Sequence, residues 1–159
     1  MEDLETIKKH HEAFWEGSAL ERCCLSISVS NGKAKPYYKD PDLDKQRTSF
    51  SYRYSELQRM LTETEYFGDA LCNYFVDLGP GMLAACVGGS YEFGPDTVWF
   101  DKEPIIEDWE AVPKLELDKT ARLYQVAVEH TEQFLEKCDG SYVVSLPDIG
   151  GTYDVLAAL

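Results

Sequence analysis

The spacing and the type of the hydrophobic residues change several times along the chain, and these changes predict that helices and strands alternate. Residues 5–16 and 54–64 carry apolar positions at helical spacing. Residues 23–29 (CCLSISV) and 69–76 (DALCNYFV) instead have the β-branched and aromatic content of strands. A Gly-Pro-Gly turn then separates the second strand from a short apolar helix over residues 82–87. The first half of the chain is therefore predicted as helix, strand, helix, strand, helix.

A hairpin and a long helix are predicted next. The segment GGSYEFGPDTVWF has the composition of two short strands joined around residues 94–95. After a polar, proline-containing stretch, Asp118 is the predicted N-cap of a long helix that Gly140 ends. The face of this helix that is predicted to be buried comprises Ala121, Tyr124, Val128, Thr131, Leu135 and Cys138.

The chain closes with SLPDIGGTYDVLAAL, in which a strand over residues 142–146 leads through two glycines into a last helix. Thr152 is its predicted N-cap, and Asp154 lies in the first turn, where the helix dipole favours a carboxylate. No C-cap follows, so the last carbonyls are expected to lack partners. We therefore expect residues 1–159 to form one incomplete domain that continues after Leu159. The alternative is a short C-terminal helix docked on a core.

The order strand, helix, strand, helix, strand, helix is typical of parallel sheets built from right-handed crossovers. Such a sheet must be covered on both faces, and a closed barrel needs eight strands and typically about 250 residues. The predicted fold class is therefore α/β: the N-terminal part of a TIM (β/α)8 barrel, with about three of the eight strands and a hairpin insertion.

Composition limits the classes of function without choosing one. The chain has 159 residues, 44% of them hydrophobic, and no apolar stretch approaches the roughly 20 residues of a membrane span. With 15 basic and 29 acidic residues the formal charge is −14, which argues against nucleic-acid and membrane partners. Five cysteines without a C-x-x-C spacing favour buried thiols over disulfides or a zinc finger. The expected location is the cytoplasm.

Three segments carry a resemblance to a known family: DALCNYFVDLGPGMLAACVGGSYEFGPDTVWF, IIEDWEAVPKLELD and SYVVSLPDIGGTYDVLAAL. They resemble the N-terminal half of the uroporphyrinogen decarboxylase family, a superfamily that also includes the corrinoid:coenzyme M methyltransferases. The resemblance runs from the HHEAFWEG helix to Leu159. It implies a TIM barrel, a small-molecule substrate and a homodimer in the complete protein. The activity it implies is decarboxylation of a porphyrinogen-type substrate, with corrinoid-dependent methyl transfer as the alternative.

The candidate site residues follow from the predicted barrel and from the resemblance. Active sites of TIM barrels lie at the C-terminal ends of the strands, so Ser28, Ser30, Asp77 and Asp148 are expected at one mouth. Asp77 is the predicted catalytic residue, because the resemblance implies that an Asp after the second strand holds the pyrrole N–H groups of the substrate. Ser28, Ser30 and Asp148 are the predicted substrate-binding residues. For both aspartates the alternative is that they cap the helix that follows.

Other positions depart from the family pattern. The family binds its substrate's carboxylates through an Arg-containing motif after the first strand, where this chain has only Lys33, Lys35 and Lys39. Leu156 aligns with a substrate-contacting Tyr of the family. No metal ligands and no cofactor are predicted in this segment, and zinc and a corrinoid enter only through the methyltransferase branch, with ligands beyond Leu159. A different class stays open: a small acidic, non-catalytic binding protein that is complete at 159 residues.

Overall fold

A computed structural model describes residues 3–37, 39–100, 104–108 and 110–159. Within these ranges the chain forms six helices and six strands, which confirms the general prediction of a mixed α/β fold. The helices are α1 (Leu4–Trp15), α2 (Leu43–Thr48), α3 (Phe50–Glu63), α4 (Met82–Cys86), α5 (Arg122–Glu136) and α6 (Thr152–Ala157). The strands are β1 (Ser26–Ser30), β2 (Thr64–Gly68), β3 (Asn73–Tyr74), β4 (Tyr91–Phe93), β5 (Val98–Phe100) and β6 (Val143–Val144).

The strands pair two by two into three small sheets, β1 with β2, β3 with β6, and β4 with β5. The β4–β5 pair is antiparallel and is the hairpin predicted from the sequence. The β1–β2 pair is also antiparallel, with Ser26 opposite Gly68 and Ser30 opposite Thr64. Consecutive strands of a TIM barrel pair in parallel, so the crossover predicted after the first strand is not found in β1 and β2.

The chain divides into two compact units. Unit 1 comprises Met1–Tyr38, Ser55–Tyr74 and Cys138–Val143. Unit 2 comprises Lys39–Tyr54, Phe75–Lys137 and Val144–Leu159. Helix α3 therefore contributes its first turn to unit 2 and the rest of its length to unit 1.

In unit 1 the predicted second strand is wrong in position. Residues 69–76 are reduced to the two-residue strand β3, while the longer strand β2 precedes them and follows α3 directly. No Gly or Pro lies between α3 and β2, so the sequence carries no signal for the boundary between them. The strand ends at Gly68, whose φ is +62° and whose position leaves no room for a Cβ beside the Leu25 carbonyl oxygen.

Unit 2 contains the main hydrophobic core. Side chains from α4, the β4–β5 hairpin, α5 and α6 pack together there. Its buried members are Val76, Leu78, Met82, Ala84, Cys86, Val98, Phe100, Ile106, Leu123, Ala127, Ala158 and Leu159. Full burial of a large aliphatic or aromatic side chain contributes about 1.5 to 3 kcal/mol, so this cluster accounts for much of the cohesion of unit 2.

Helix α5 buries a different face from the one predicted. The buried residues are Leu123, Ala127, His130 and Phe134, whereas Leu135, which was predicted to be buried, is exposed. The helix also begins at Arg122 and not at Asp118, because the Asp118 carboxylate instead accepts hydrogen bonds from Thr120 in a preceding turn. Apolar residues lie on both the predicted and the observed buried face of α5, so the spacing of apolar residues does not by itself identify the face that is buried.

The C-terminal helix corrects two further expectations. Gly151 and not Thr152 is the N-cap residue of α6, and the Asp154 carboxylate accepts the Gly151 N–H as expected for a first-turn acid. The Leu159 carbonyl accepts hydrogen bonds from the N–H groups of Ile105 and Ile106, so it does have partners. Among the described residues, the helices are too short or too polar to cross a membrane.

Candidate functional site

Asp77 lies just after β3, at the start of the Gly-Pro-Gly turn in unit 2, and it has two partners. Its Oδ2 forms an ion pair with Nη1 of Arg47 at 2.5 Å, and its Oδ1 accepts the N–H of Gly79 at 3.2 Å. The Arg47 side chain is only 10% exposed, whereas that of Asp77 is 39% exposed. Asp77 is therefore a turn cap and also a carboxylate that a buried guanidinium holds at the surface of unit 2.

Arg47 was not predicted as a site residue. It lies on α2, a short helix whose N-cap Asp42 accepts the Lys45 N–H. The sequence PDLDKQR does contain an N-cap aspartate before helix formers, which is the one pattern from which this helix could have been predicted. No sequence pattern predicts that Arg47 pairs with Asp77, which lies 30 positions further along the chain.

Asp148 occupies a neighbouring turn of unit 2. It is exposed, and its Oδ1 accepts the N–H of Gly150 at 2.8 Å. Gly150 has a φ of +67°, and a Cβ on it would lie 2.7 Å from the Pro80 carbonyl oxygen. The loop that carries Asp148 is thus in close contact with the turn that follows Asp77. The structure brings these two loops together. Asp148 contacts the turn before α6 and does not cap that helix, whose N-cap residue is Gly151.

Ser28 and Ser30 belong to unit 1 and lie on β1, where both are exposed. They are paired with Tyr66 and Thr64 of β2, and the Ser30 hydroxyl oxygen accepts the Gly32 N–H at 3.4 Å. Both serines therefore lie exposed on a two-stranded antiparallel sheet, and not at the end of a parallel barrel strand.

A shallow cleft of 310 Å³ adjoins the Gly-Pro-Gly turn of unit 2. Val98, Phe100 and Ala158 form part of its apolar lining, and Trp99 and Asp154 contribute an exposed indole and a carboxylate. A Cβ on Gly81 would overlap the Phe100 ring, so glycine is required for this close approach. An aromatic ring and an apolar wall suit a flat ligand, but Asp77 does not line the cleft.

The most strongly ionic cluster of unit 1 surrounds the fully buried Asp69. Its Oδ2 and Oδ1 bind Nη1 and Nη2 of Arg22 at 2.5 and 3.0 Å, and Oδ1 also lies 2.6 Å from Nδ1 of His10. The Leu25 N–H donates to Oδ2 at 2.8 Å. The Arg22 hydrogen bond, with the Leu25 and His10 bonds, holds the pKa of Asp69 well below its usual range despite burial. This carboxylate is an anchor that joins α1 to the segment before β1.

Cys24 lies beside this anchor, with its Sγ 3.8 Å from Nδ1 of His11. Burial, and next the negative charge of Asp69, raise the pKa of the Cys24 thiol. A raised pKa favours the protonated thiol at neutral pH, and the thiolate is the nucleophilic form. Sequence patterns predict Asp69 only as the start of a strand, because its partners are far away along the chain.

No set of three or more His, Cys, Asp or Glu side chains is arranged to hold a metal ion in the part of the chain that the structure describes. The described residues therefore offer no donor set that fits the zinc of the methyltransferase branch.

Comparisons with protein-family models, with curated proteins and with solved structures find no match to this chain. The family resemblance accordingly rests on the three sequence segments alone.

Proposed function

We propose that Asp77 is a substrate-binding carboxylate of a uroporphyrinogen decarboxylase-like enzyme that acts on a porphyrinogen-type substrate. The observation that carries the proposal is the Asp77–Arg47 ion pair. A buried guanidinium fixes one carboxylate oxygen, the Gly79 N–H fixes the other, and the side chain still has more than a third of its surface open to a ligand. Such a carboxylate is preorganised to accept N–H donors.

Decarboxylation of a porphyrinogen requires a group that stabilises the positive charge of a protonated pyrrole ring. Protonation of a pyrrole ring places positive charge on the ring and its N–H, and an adjacent carboxylate accepts that N–H and offsets the charge. The carbon–carbon bond to the departing carboxylate then breaks, carbon dioxide leaves, and the electron pair of that bond forms an exocyclic double bond that neutralises the ring. A proton from water adds to the exocyclic carbon and the ring carbon loses the proton that it gained, so that hydrogen replaces the carboxylate and the pyrrole is restored. In this proposal Asp77 binds and stabilises the cationic ring, and it forms no covalent bond.

The barrel architecture belongs to the same proposal. Its support is the resemblance and the alternation of helices with strands, and the antiparallel pairing of β1 with β2 counts against it. A porphyrinogen site built on Asp77 does not depend on that pairing, because Asp77, Arg47 and Gly79 all belong to unit 2.

The proposal is tested by assaying the protein that carries this chain on two substrates. It is incubated anaerobically with uroporphyrinogen, and the products are oxidised and separated by their number of carboxylates; we expect products with fewer carboxylates. A parallel incubation with a methylated corrinoid and a thiol acceptor follows the corrinoid absorbance. Demethylation without porphyrinogen turnover would replace the decarboxylase proposal by methyl transfer. A folded protein inactive in both assays would overturn the enzyme proposal and favour a binding protein.

A further inference from the structure

Two of the lysines that follow β1 lie in a cleft of unit 1 together with an arginine from α3. The cleft has a volume of 470 Å³, and its lining includes Lys33, Lys35, Tyr37, Arg59 and Glu63. Three cations and one carboxylate give this cleft a net positive charge in a chain whose formal charge is −14. The cleft contains no residue of the Asp77 site, so it is independent of the proposed function.

The two lysines of this cleft are not neutralised by ion pairs with the residues that the structure describes. Within residues 3–37, 39–100, 104–108 and 110–159, neither Lys33 nor Lys35 has an ion pair through its ammonium group. Lys39, the third lysine of the same loop, is by contrast paired with Asp96 in unit 2. Two ammonium groups without an ion-pair partner at one cleft leave its positive charge available to an anionic ligand.

Arg59 supplies the group with directional hydrogen bonding. Its guanidinium lies 3.9 Å from the centroid of the Tyr37 ring, and its Nε is 3.4 Å from Oε2 of Glu63. These contacts hold the plane of the guanidinium, and in the described part of the chain Nη1 and Nη2 have no hydrogen-bond acceptor. Two parallel N–H donors in a fixed plane match the oxygens of a phosphate or carboxylate.

The loop that carries the lysines is held in place on the end of α3. The Asn31 N–H donates to the Glu63 carbonyl at 3.0 Å, and the Asn31 side-chain amide donates to the Thr62 carbonyl at 2.8 Å. The Lys33 N–H donates to Asn31 Oδ1 at 3.0 Å, and the Lys35 N–H donates to Glu63 Oε1 at 3.3 Å. Each basic residue is thus attached through its backbone to a fixed framework, which preorganises the positive charges.

We infer that this cleft binds a small ligand through an oxyanion group, a phosphate or a carboxylate, with Arg59 as the hydrogen-bonding fork and Lys33 and Lys35 as point charges. Binding of this kind is electrostatic, so its affinity falls as the ionic strength rises.

The test is calorimetric titration with pyrophosphate and, separately, with citrate, at low ionic strength and against sodium chloride of matched ionic strength. We expect binding of at least one of the two anions, weakened about tenfold or more in Arg59→Gln and in Lys33→Gln/Lys35→Gln. Lys8→Gln, which removes an exposed lysine of α1, should bind like the parent. Pyrophosphate alone would identify a phosphate ligand, citrate alone a carboxylate ligand, and both an oxyanion site of either kind.

Arg59→Lys keeps the charge but removes the fork, and it covers the case in which Arg59→Gln fails to fold. We expect this variant to remain folded by circular dichroism and to bind more weakly than the parent. The inference is overturned if neither anion binds, if chloride of the same ionic strength has the same effect, or if the cleft variants and Lys8→Gln bind equally well.

Discussion

At the residue scale, two aspartates hold arginines in two different environments. Asp69 is fully buried and binds both terminal nitrogens of Arg22, whereas Asp77 is partly exposed and binds one nitrogen of the buried Arg47. In the first pair the carboxylate is the enclosed partner, which suits an anchor within unit 1. In the second the guanidinium is enclosed, which leaves the carboxylate accessible to a ligand.

Asp69→Asn should lower the free energy of unfolding by about 1.5 to 3 kcal/mol at neutral pH, because it replaces the charged acceptor of the Arg22 and Leu25 hydrogen bonds by a neutral amide. The pKa of Asp69 is lowered on folding, so its contribution is complete above the unfolded-state pKa of about 4. It is lost as the pH falls below that value toward the lowered folded-state pKa. Urea unfolding of parent and variant should therefore differ at pH 7 and converge in acid; an equal difference at both pH values would contradict the assignment.

The sequence places Asp77 and Asp148 correctly in turns next to glycines, and their contacts reach only two residues along the chain. The alternative that they cap the following helices is wrong, because the N-cap residues are Gly81 and Gly151.

The sequence does not predict that Arg47 pairs with Asp77 or that Asp69 pairs with Arg22. These two contacts span 30 and 47 positions along the chain. The spacing of hydrophobic residues and the positions of turn residues carry no information about which distant side chains meet. For this candidate site, the accessible carboxylate was predictable and the guanidinium that orients it was not.

At the scale of single elements, helix α5 is the clearest case in which the fold corrects the sequence. Phe134 is fully buried and makes an edge contact with Phe50 at a centroid separation of 4.9 Å. The next residue, Leu135, is 56% exposed. The sequence predicts the existence of this helix, but the choice of its buried face depends on the packing of α4 and of the start of α3 against it.

This difference predicts opposite outcomes for two adjacent substitutions. Phe134→Ala should reduce the free energy of unfolding by about 3 to 5 kcal/mol, because it removes a buried ring and leaves a cavity. Leu135→Ala should change it by less than about 0.5 kcal/mol, because that side chain is mainly in water. Urea unfolding of both variants checks the orientation of α5. A larger loss for Leu135→Ala would restore the face predicted from the sequence.

His130 on the same helix should make unit 2 sensitive to acid. Its Nε2 donates to the Thr48 carbonyl at 3.1 Å, and its Nδ1 is buried without a partner among the described residues. Burial is the main cause that lowers the pKa of His130; the Thr48 contact opposes it, the Arg53 charge adds to it, and the Glu129 charge opposes it. The unfolded chain thus binds a proton first, and stability falls as the pH decreases below about 6.5.

The expected slope below that pH is at most about 1.4 kcal/mol per pH unit for this one group. His130→Gln keeps an N–H for the Thr48 carbonyl and does not titrate, so its unfolding free energy should depend less on pH between 7 and 5.5. The measurement is urea unfolding at several pH values for parent and variant. Identical slopes would show that His130 does not titrate with folding.

At the scale of the whole molecule, the sequence predicted a mixed fold with a hairpin and a long helix near the C-terminus, and these features are present. It did not predict that β1 pairs with β2 in antiparallel fashion. Strand direction and partner depend on which chain segments meet, and a short apolar run has the same pattern in either case. The acidic total charge likewise conceals a local cleft of opposite sign.

The central claim is that Asp77 binds the N–H groups of a porphyrinogen. The most direct test measures the affinity for uroporphyrinogen by anaerobic equilibrium dialysis. The proteins compared are the parent, Asp77→Asn and Asp139→Asn. Asp139 is the matched control, because its carboxylate also accepts an N–H two residues ahead, from Ser141, but lies in unit 1. With folding verified by melting temperature, we expect Asp77→Asn to weaken binding about tenfold or more, the loss of one charge-assisted hydrogen bond. Asp139→Asn should bind like the parent, and an affinity of folded Asp77→Asn within about twofold of the parent would contradict the claim.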